Sequence, residues 1–367
     1  MILMNDFRAE PAQLRIAMLK AAERVIESGW YVLGNEVEKF EKKWSDVCGV
    51  SYGIGVGNGM DAIEIALRAL DVGPGDEVIT TPMTAFASVL AILRSGATPV
   101  LADIDAETAL LSLDSVERCV TKNTKAILLV HLYGQICQMV TWQNFCQNRN
   151  IYLIEDCAQA HLATANGKVA GSFGVAGAYS FYPTKNLGAL GDAGMLVTAN
   201  ALVAKRASQL RNYGQSVRYH HPELGMNSRL DELHAAMLAE KLVWLESFTE
   251  RRRSIAATYG KEITNPLVKH LAQPEELSAH AYHLFVVTCP QRDALQLHLQ
   301  NNQIQALIHY PIPIHQQEPC HQIKRDERGL SVSENHAAEC LSLPCHPQMS
   351  DSDVEKVINS VNTYKAE

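Results

Sequence analysis

An unbroken apolar run at residues 126–130, AILLV, constrains the fold more than any other feature of the sequence. A strand of this composition has no polar side to turn toward water, so both of its faces must be covered, as in a parallel sheet. A second apolar strand pattern follows at 151–154, after a helical pattern near 141–147. Strand patterns at 77–81 and 99–102 also alternate with helical ones. We therefore expect an α/β fold, a three-layer sandwich around a mainly parallel sheet.

The region after about residue 245 differs from the alternating region before it. A long amphipathic helix is predicted at 229–248, and beyond it the apolar pattern becomes sparser. The final helix, at 350–361, begins with a capping signal. The predicted organisation is a large cofactor-binding α/β domain with N-terminal helices at 1–245 and a smaller C-terminal α+β domain at 246–367.

Composition narrows the function classes. The chain has 32 Lys and Arg against 40 Asp and Glu, a net charge of −8, with no basic block, which argues against a nucleic-acid partner. Its nine cysteines include no Cys-x-x-Cys pair, which favours a reducing compartment over a disulfide framework. No apolar run reaches membrane-spanning length. We expect a soluble cytoplasmic protein without a membrane partner.

Three segments carry the chemistry. Lys185 lies in the segment SFYPTKNLG, Asp156 follows a buried strand, and small residues at 57–62 open an amphipathic helix. Taken singly, each has an ordinary explanation: a lysine after a turn, a carboxylate that caps a helix, and a helix start capped by Asn58 or Asp61. Taken together, they are the three parts that pyridoxal 5′-phosphate (PLP) requires: a Schiff-base lysine, a carboxylate for the pyridine nitrogen and a phosphate site at a helix start.

The ordered motifs of the chain resemble the sugar aminotransferases of the DegT/DnrJ/EryC1/StrS type, which are fold-type I PLP enzymes. The segments that carry this resemblance are SGWYVLG at 28–34, GPGDEV at 73–78, HLYGQ at 131–135, EDCAQAH at 155–161, SFYP at 180–183, GMNSRLDE at 225–232 and HYPIP at 309–313. The resemblance covers nearly the whole chain, and it implies an aminotransferase with PLP as cofactor.

The resemblance implies a role for each matching residue. Lys185 would be the catalytic residue, which binds PLP covalently and carries the proton. The implied cofactor contacts are Gly59, Met60, Phe86, Asp156, Gln159, Ser180, Lys185 and Asn227. Gln159 would lie near the ring hydroxyl, while Ser180 would hold the phosphate together with the backbone of Gly59 and Met60. Asn227 would reach the phosphate of a neighbouring subunit, which implies a homodimer with shared active sites.

One position departs from the family pattern. Family members have an aromatic residue directly after the threonine that Thr84 matches, and its ring stacks on the cofactor. This chain has Ala85 there, followed by Phe86. Either Phe86 replaces the aromatic residue through a local shift, or another group covers the ring.

Segments 185–192 and 309–313 look most like members that aminate C3 of a nucleotide-linked (dTDP) 3-keto-6-deoxyhexose. This resemblance implies a keto-sugar substrate and L-glutamate as amino donor, in surface polysaccharide biosynthesis. The implied substrate contacts are Tyr31, His161, Tyr182, Tyr219, His220, Arg229, His309 and Tyr310.

A second substrate class stays open, namely a non-nucleotide keto sugar acid such as 8-keto-3,8-dideoxyoctulosonate, aminated for lipopolysaccharide. Basic or hydrogen-bonding side chains that suit a carboxylate lie in segments that line family substrate sites: Arg218, His220, His221, His309, His315 and His346. Solvated loop histidines are the simpler interpretation of His221 and His346.

Three other interpretations fit the sequence less well. PLP dehydratases of the family carry histidine where this chain has Lys185. A non-catalytic PLP-binding regulator needs a DNA-binding module, for which the chain has neither spare length nor a basic patch. A zinc site of His309, His315 and Cys320 is not needed, because PLP already explains that region, so no metal is predicted.

Overall fold

The computed structural model describes residues 1–366. The helices are α1 (Ala12–Ser28), α2 (Asn35–Cys48), α3 (Gly59–Ala69), α4 (Phe86–Ser95), α5 (Leu113–Cys119), α6 (Met139–Arg149), α7 (Ala201–Leu210), α8 (Glu232–Leu242), α9 (Leu245–Glu262), α10 (Arg292–Asn301), α11 (Ser331–Glu339) and α12 (Asp351–Thr363). The strands are β1 (Tyr52–Val56), β2 (Glu77–Thr80), β3 (Thr98–Leu101), β4 (Thr124–Val130), β5 (Tyr152–Asp156), β6 (Thr164–Ala165), β7 (Lys168–Val169), β8 (Ala176–Ser180), β9 (Gly194–Thr198), β10 (Lys269–His270), β11 (Phe285–Thr288), β12 (Lys324–Arg325) and β13 (Cys340–Leu343).

An eight-stranded sheet forms the centre of the molecule, in the order β1-β9-β8-β5-β4-β2-β3-β12. From β8 to β12 every pairing is parallel, while β9 pairs antiparallel with both of its neighbours. In the register of β4 and β5, Val130 lies opposite Asp156. The predicted mainly parallel α/β sheet is confirmed.

Strand β4 shows why its sequence is apolar throughout. Ile127 and Leu129 pack into one hydrophobic core, which contains Trp44 of α2. The alternate residues, Ala126 and Leu128, pack into a separate core with α3 and α7. Successive side chains of a strand point to opposite faces, so β4 has helices on both sides of it, as the predicted sandwich requires.

The helix predicted at 229–248 is wrong as a single element. α8 ends at Leu242 and α9 begins at Leu245. Between them, the backbone N–H of Trp244 donates to the carbonyl of Lys241, three residues earlier, which tightens the chain at the break. The ring of Trp244 packs against Phe248 at a centroid distance of 5.8 Å. The hydrophobic period alone does not reveal this break.

The C-terminal part has its own antiparallel sheet, β10-β11-β13, and its own hydrophobic core. The predicted capping signal of α12 is confirmed, because Ser350 and Asp353 form a reciprocal capping box. Strand β12 nevertheless pairs with β3 of the large sheet. The domain boundary at residue 245 therefore stays a prediction, with β12 as a contact across it. Within residues 1–366, no helix combines the length and the apolar character needed to cross a bilayer.

Candidate active site

The site lies where parallel strands end. Asp156 is the last residue of β5, and Ser180 is the last residue of the neighbouring strand β8. Lys185 follows in a turn, where its backbone N–H donates to the carbonyl of Tyr182 at 2.8 Å. Because the carboxyl ends of parallel strands meet at one edge of a sheet, a ligand site forms at this edge. The structure thus brings together the lysine and the carboxylate that were predicted from sequence.

Lys185 is half-buried, and burial lowers the pKa of its ammonium group to about 8. The Asp156 carboxylate acts in the opposite direction and raises this pKa, so the lowered value reflects the dominance of burial. A lysine with such a pKa has a substantial unprotonated fraction near neutral pH. It can therefore act as a nucleophile and carry protons.

Asp156 is buried, with 6% of its surface exposed, and both carboxylate oxygens accept hydrogen bonds. The hydroxyl of Ser88 donates to Oδ2 at 2.8 Å, and the backbone N–H of Ala158 donates to Oδ1 at 3.1 Å. Ser88 was not predicted from sequence. The only available signal was its position four residues after Thr84 at the start of α4, a spacing that brings the two hydroxyl groups within 2.8 Å.

A corner suited to phosphate forms where α3 begins. Gly59 and Met60 are the first two residues of α3, whose N-cap Asn58 accepts from the Asp61 N–H at 2.9 Å. Free N–H groups at a helix N-terminus bind anions. A Cβ added to Gly59 would lie 2.8 Å from Cβ of Ser180, so only glycine allows the helix start to approach the Ser180 hydroxyl this closely. This corner, together with Lys185 and Asp156, fits PLP.

Gln159 is held by its neighbours at both ends of its amide. Its Oε1 accepts from the backbone N–H of Tyr133 at 2.5 Å, and its Nε2 donates to the hydroxyl of Tyr310 at 3.1 Å. Nε2 has a second proton, and its predicted contact with the cofactor ring hydroxyl stays a prediction. Burial raises the pKa of Tyr310 to about 12, so that its phenol stays protonated.

Tyr133 is a site residue that sequence reasoning missed, although it lies inside a matching motif. Its backbone has φ 61°, a left-handed conformation that is uncommon for a non-glycine residue. Its hydroxyl donates to the carbonyl of His309 at 2.6 Å and lies 2.9 Å from Nε2 of His336. Tyr133 therefore links Gln159 to the His309–Tyr310 segment, and such strain is typical of functional sites.

The histidines near Lys185 are held in the neutral state. Burial lowers the pKa of His309 to about 4 and that of His161 to about 3, and the Lys185 ammonium group adds to both effects. Burial and Lys185 also lower the pKa of His283 well below its usual value, a residue that was not predicted. His309 Nδ1 lies 2.9 Å from the hydroxyl of Ser342.

The predicted substrate contact of His161 needs correction. His161 has no exposed surface, and its ring packs among Trp44, Tyr179 and Phe181. A ring enclosed in this way has no exposed surface for contact with a substrate. The EDCAQAH motif could not reveal this, because the aromatic side chains around His161 come from distant segments.

The other predicted contacts lie at or near the surface. Tyr31, Tyr182, Tyr219, His220 and Asn227 are exposed, and Arg229 is half-buried. Arg229 donates to Asn212 Oδ1 at 3.3 Å, and the imidazole of His220 bonds to Ser216 at 2.9 Å. The structure does not join these two side chains to Lys185 by a hydrogen bond, and the roles of this group stay predictions. Phe86 begins α4 and is 36% exposed, so its ring stacking also stays a prediction.

One buried cluster has the residue types of a metal site. His131, Glu155 and Cys157 place possible ligand atoms within 4.8 Å of one another. The Glu155 carboxylate, however, accepts from the backbone N–H groups of Gly171, Phe173 and Gly174 at 2.7–2.8 Å and from His131 at 3.0 Å. These bonds occupy the oxygens, so we assign Glu155 to the closure of the 171–174 loop. His315, from the zinc set considered above, bonds instead to Glu334 at 2.9 Å.

Comparison with known proteins places this geometry in a family. The model of the DegT/DnrJ/EryC1/StrS aminotransferase family matches residues 13–362. The chain belongs to this family. It is therefore a PLP-dependent sugar aminotransferase, and the predicted family, cofactor and enzyme class are confirmed.

Two solved structures and one curated relative illustrate the likeness of this family member. A dTDP-3-amino-3,6-dideoxy-alpha-D-galactopyranose transaminase of Aneurinibacillus thermoaerophilus is 46% identical over 99% of both chains. DesV of S. venezuelae is 38% identical with a TM-score of 0.94, covering 99% of this chain and 97% of its own. NtdA of Bacillus subtilis, solved with bound cofactor PMP, is 29% identical with a TM-score of 0.88, covering 96% and 82%. The predicted fold-type I architecture is confirmed.

Proposed function

We propose that this protein aminates C3 of a dTDP-linked 3-keto-6-deoxyhexose, with L-glutamate as amino donor, for surface polysaccharide such as lipopolysaccharide. The proposal rests on the position of Lys185 and Asp156 at one edge of the sheet. The chain is also 46% identical along its length to a transaminase named for a 3-amino-3,6-dideoxy sugar. The HYPIP segment, whose Tyr310 bonds to Gln159, supports a substrate site beside the cofactor.

Each of the main residues of the site has its own role in this reaction. Bound PLP supplies the electron sink and carries the amino group from donor to acceptor. Lys185, part of which is the free amine because its pKa is lowered, would hold PLP covalently and would later move a proton between carbon atoms on one face of the site. Asp156 would place a negative charge at the pyridine nitrogen, and Ser180 with the start of α3 would hold the phosphate.

The active unit is proposed to be a homodimer with shared sites. Asn227 is exposed and forms a backbone bridge with Asn212, close in sequence to the exposed loop at 216–222. Large aromatic side chains are also exposed, with Trp30 at 62% and Tyr219 at 80%. Aromatic side chains are enriched in interfaces between subunits, which supports the proposed dimer. In the dimer, Asn227 of the partner subunit would complete the phosphate corner at Gly59.

Two alternatives to this proposal are a non-catalytic regulator and an enzyme that aminates a keto sugar acid. A non-catalytic regulator is not favoured, because the family is one of aminotransferases and the chain retains Lys185. A keto sugar acid remains the competing substrate. The neutral state of His309 gives no fixed positive charge for a carboxylate at that position.

The test is a substrate panel with identification of the products. The enzyme is incubated with PLP, L-glutamate and each of several keto sugars: dTDP-3-keto- and dTDP-4-keto-6-deoxyhexoses and 8-keto-3,8-dideoxyoctulosonate. Mass spectrometry and NMR then locate the new amine, with Lys185→Ala as the inactive control. Amination at C3 of the dTDP sugar is expected, and exclusive amination of the octulosonate would overturn the proposed substrate.

A further inference from the structure

Two buried hydroxyl groups lie behind the Asp156 carboxylate. Ser88 is 1% exposed, and its hydroxyl donates to Asp156 Oδ2 at 2.8 Å. Thr84 is 4% exposed, and its hydroxyl lies 2.8 Å from that of Ser88. Both residues belong to the segment at the start of α4. Ser88 precedes Asp156 by 68 residues in the sequence. The roles described above for the cofactor site do not use either hydroxyl group.

The direction of these hydrogen bonds follows from the proton count. An ionised carboxylate only accepts hydrogen bonds, so the single proton of Ser88 points to Asp156. The Ser88 oxygen then has lone pairs to share but no second proton, so the Thr84 hydroxyl must donate to it. The result is an ordered chain from Thr84 through Ser88 to Asp156, in which each bond strengthens the next.

The location of Ser88 agrees with a dedicated contact. Ser88 lies in the first turn of α4, and its hydroxyl bonds across to β5. A buried carboxylate needs donors that favour its charged form, and a hydrogen bond to a charged group is stronger than one between neutral groups.

We propose that Ser88 is a positioning residue, which fixes the rotation of the Asp156 carboxylate toward the cofactor's pyridine nitrogen, with Thr84 supporting Ser88. Ser88 does not touch the reacting atoms and acts through Asp156 alone. The inference rests on the proposed role of Asp156. It extends the cofactor site by one layer of residues, from the carboxylate to the start of α4.

The test compares Ser88→Ala with two further variants. Ser88→Thr keeps the hydroxyl, and Ser45→Ala removes a different buried hydroxyl, which is 1% exposed on α2 and donates to the carbonyl of Lys42. Apparent PLP affinity is measured by titrating the apoenzyme. The protonation of the pyridine nitrogen is followed by NMR of bound ¹⁵N-labelled PLP across a pH series. Neither measurement uses a sugar, so both stand apart from the substrate proposal.

Ser88→Ala is expected to weaken PLP binding about tenfold, as the loss of a hydrogen bond to a charged group predicts. Its pyridine nitrogen should lose the proton at lower pH than in the wild type, and kcat should fall while KM for the sugar stays unchanged. Ser88→Thr should restore the ¹⁵N signal, and Ser45→Ala should leave it unaltered. A ¹⁵N titration of Ser88→Ala that coincides with the wild type would overturn the proposal, whatever its thermal stability.

The variant Thr84→Val provides a test in case Ser88→Ala does not fold. Thr84→Val keeps the shape of the side chain and removes its hydroxyl, so it should shift the ¹⁵N titration in the same direction by a smaller amount. An unshifted ¹⁵N titration in Thr84→Val would then contradict the hydrogen-bond chain from Thr84 through Ser88 to Asp156. Asp156→Asn separates the two proposals: an unchanged ¹⁵N signal in this variant would refute the role of Asp156 itself, and the role of Ser88 with it.

Discussion

The two halves of the site differ in how the chain builds them. The cofactor half consists of Asp156, Gln159 and the start of α3, which are fixed by the sheet register and by hydrogen bonds within one chain. The interface half, which we propose that a second subunit covers, consists of the exposed loop at 216–222 and the exposed residue Asn227. One chain therefore organises the contacts around Lys185 and Asp156 by itself, whereas the proposed dimer would add a second subunit at the sugar site and at the phosphate corner.

Lys185→Ala should cause the largest loss, because it removes both the nucleophile and the proton carrier of the cofactor half. Turnover should fall at least about 1,000-fold, as expected for loss of acid–base catalysis by a positioned side chain. Steady-state assays of 2-oxoglutarate release measure this effect, with circular dichroism as the control for folding. Wild-type turnover in this variant would remove Lys185 from the mechanism.

Asp156→Asn should reduce kcat about 100-fold, a typical loss when a preorganised charge is removed from an active site. The amide keeps the shape of the carboxylate but provides no negative charge for the pyridine nitrogen. KM for the sugar should change little, because Asp156 lies in the cofactor half. An unaltered kcat would show that the sheet edge needs no charge at this position.

Asn227→Ala should weaken PLP binding by about tenfold or less, since it removes one phosphate hydrogen bond. Mixing tests whether the bond crosses the interface. A dimer of one Lys185→Ala subunit and one Asn227→Ala subunit contains one intact site if Asn227 acts in the partner. In equal mixtures, about half of the sites that retain Lys185 should then recover wild-type PLP affinity, measured by PLP titration of the Schiff-base absorbance. No recovery after confirmed subunit exchange would place Asn227 in its own subunit's site and break the contrast between the halves.

The pH dependence of cofactor capture should be the smallest effect. The unprotonated fraction of Lys185 rises with pH through about 8, so the rate at which the apoenzyme captures PLP should fall about fivefold from pH 8 to pH 7. Stopped-flow absorbance measures this rate. In Asp156→Asn the midpoint should move to lower pH, because the carboxylate that raises the Lys185 pKa is gone. A midpoint near 10.5, the value of an ordinary lysine, would contradict the burial of this amine.

The same lowered pKa has a consequence for stability. The unfolded chain binds the Lys185 proton up to about pH 10.5, whereas the folded apoenzyme releases it at about 8. The unfolded state therefore holds more protons between these values, so this group makes the free energy of unfolding rise with pH across that window.

Local patterns predict the cofactor half of the molecule well. The apolar residues 126–130 indicate a strand covered on both faces, and Asp156 and Lys185 lie at the strand ends where the alternating pattern places them. The missed residues depend on distant contacts. Ser88 and Tyr133 contact Asp156 and Gln159 only after the strands and helices have packed. No spacing in the sequence predicts these contacts.

The predictions for His161 and for a single helix at 229–248 are wrong for the same physical reason. A histidine next to a site motif predicts a ligand contact, yet three aromatic rings from elsewhere enclose it. The hydrophobic period continues through Trp244, yet the chain tightens there into a three-residue hydrogen bond to Lys241, and α8 ends before α9 begins. In both cases tertiary packing overrides the local signal.

The most direct test of the account is the first half of the reaction, measured without any sugar. L-Glutamate is added to the PLP-loaded enzyme, the absorbance of the bound cofactor is recorded, and released 2-oxoglutarate is quantified against the number of sites. We expect conversion of the cofactor to its amino form with a stoichiometric amount of 2-oxoglutarate in the wild type, and no conversion in Lys185→Ala. An unchanged spectrum with L-glutamate and with every other amino donor, despite bound PLP, would contradict the assignment of amino transfer to Lys185 and Asp156.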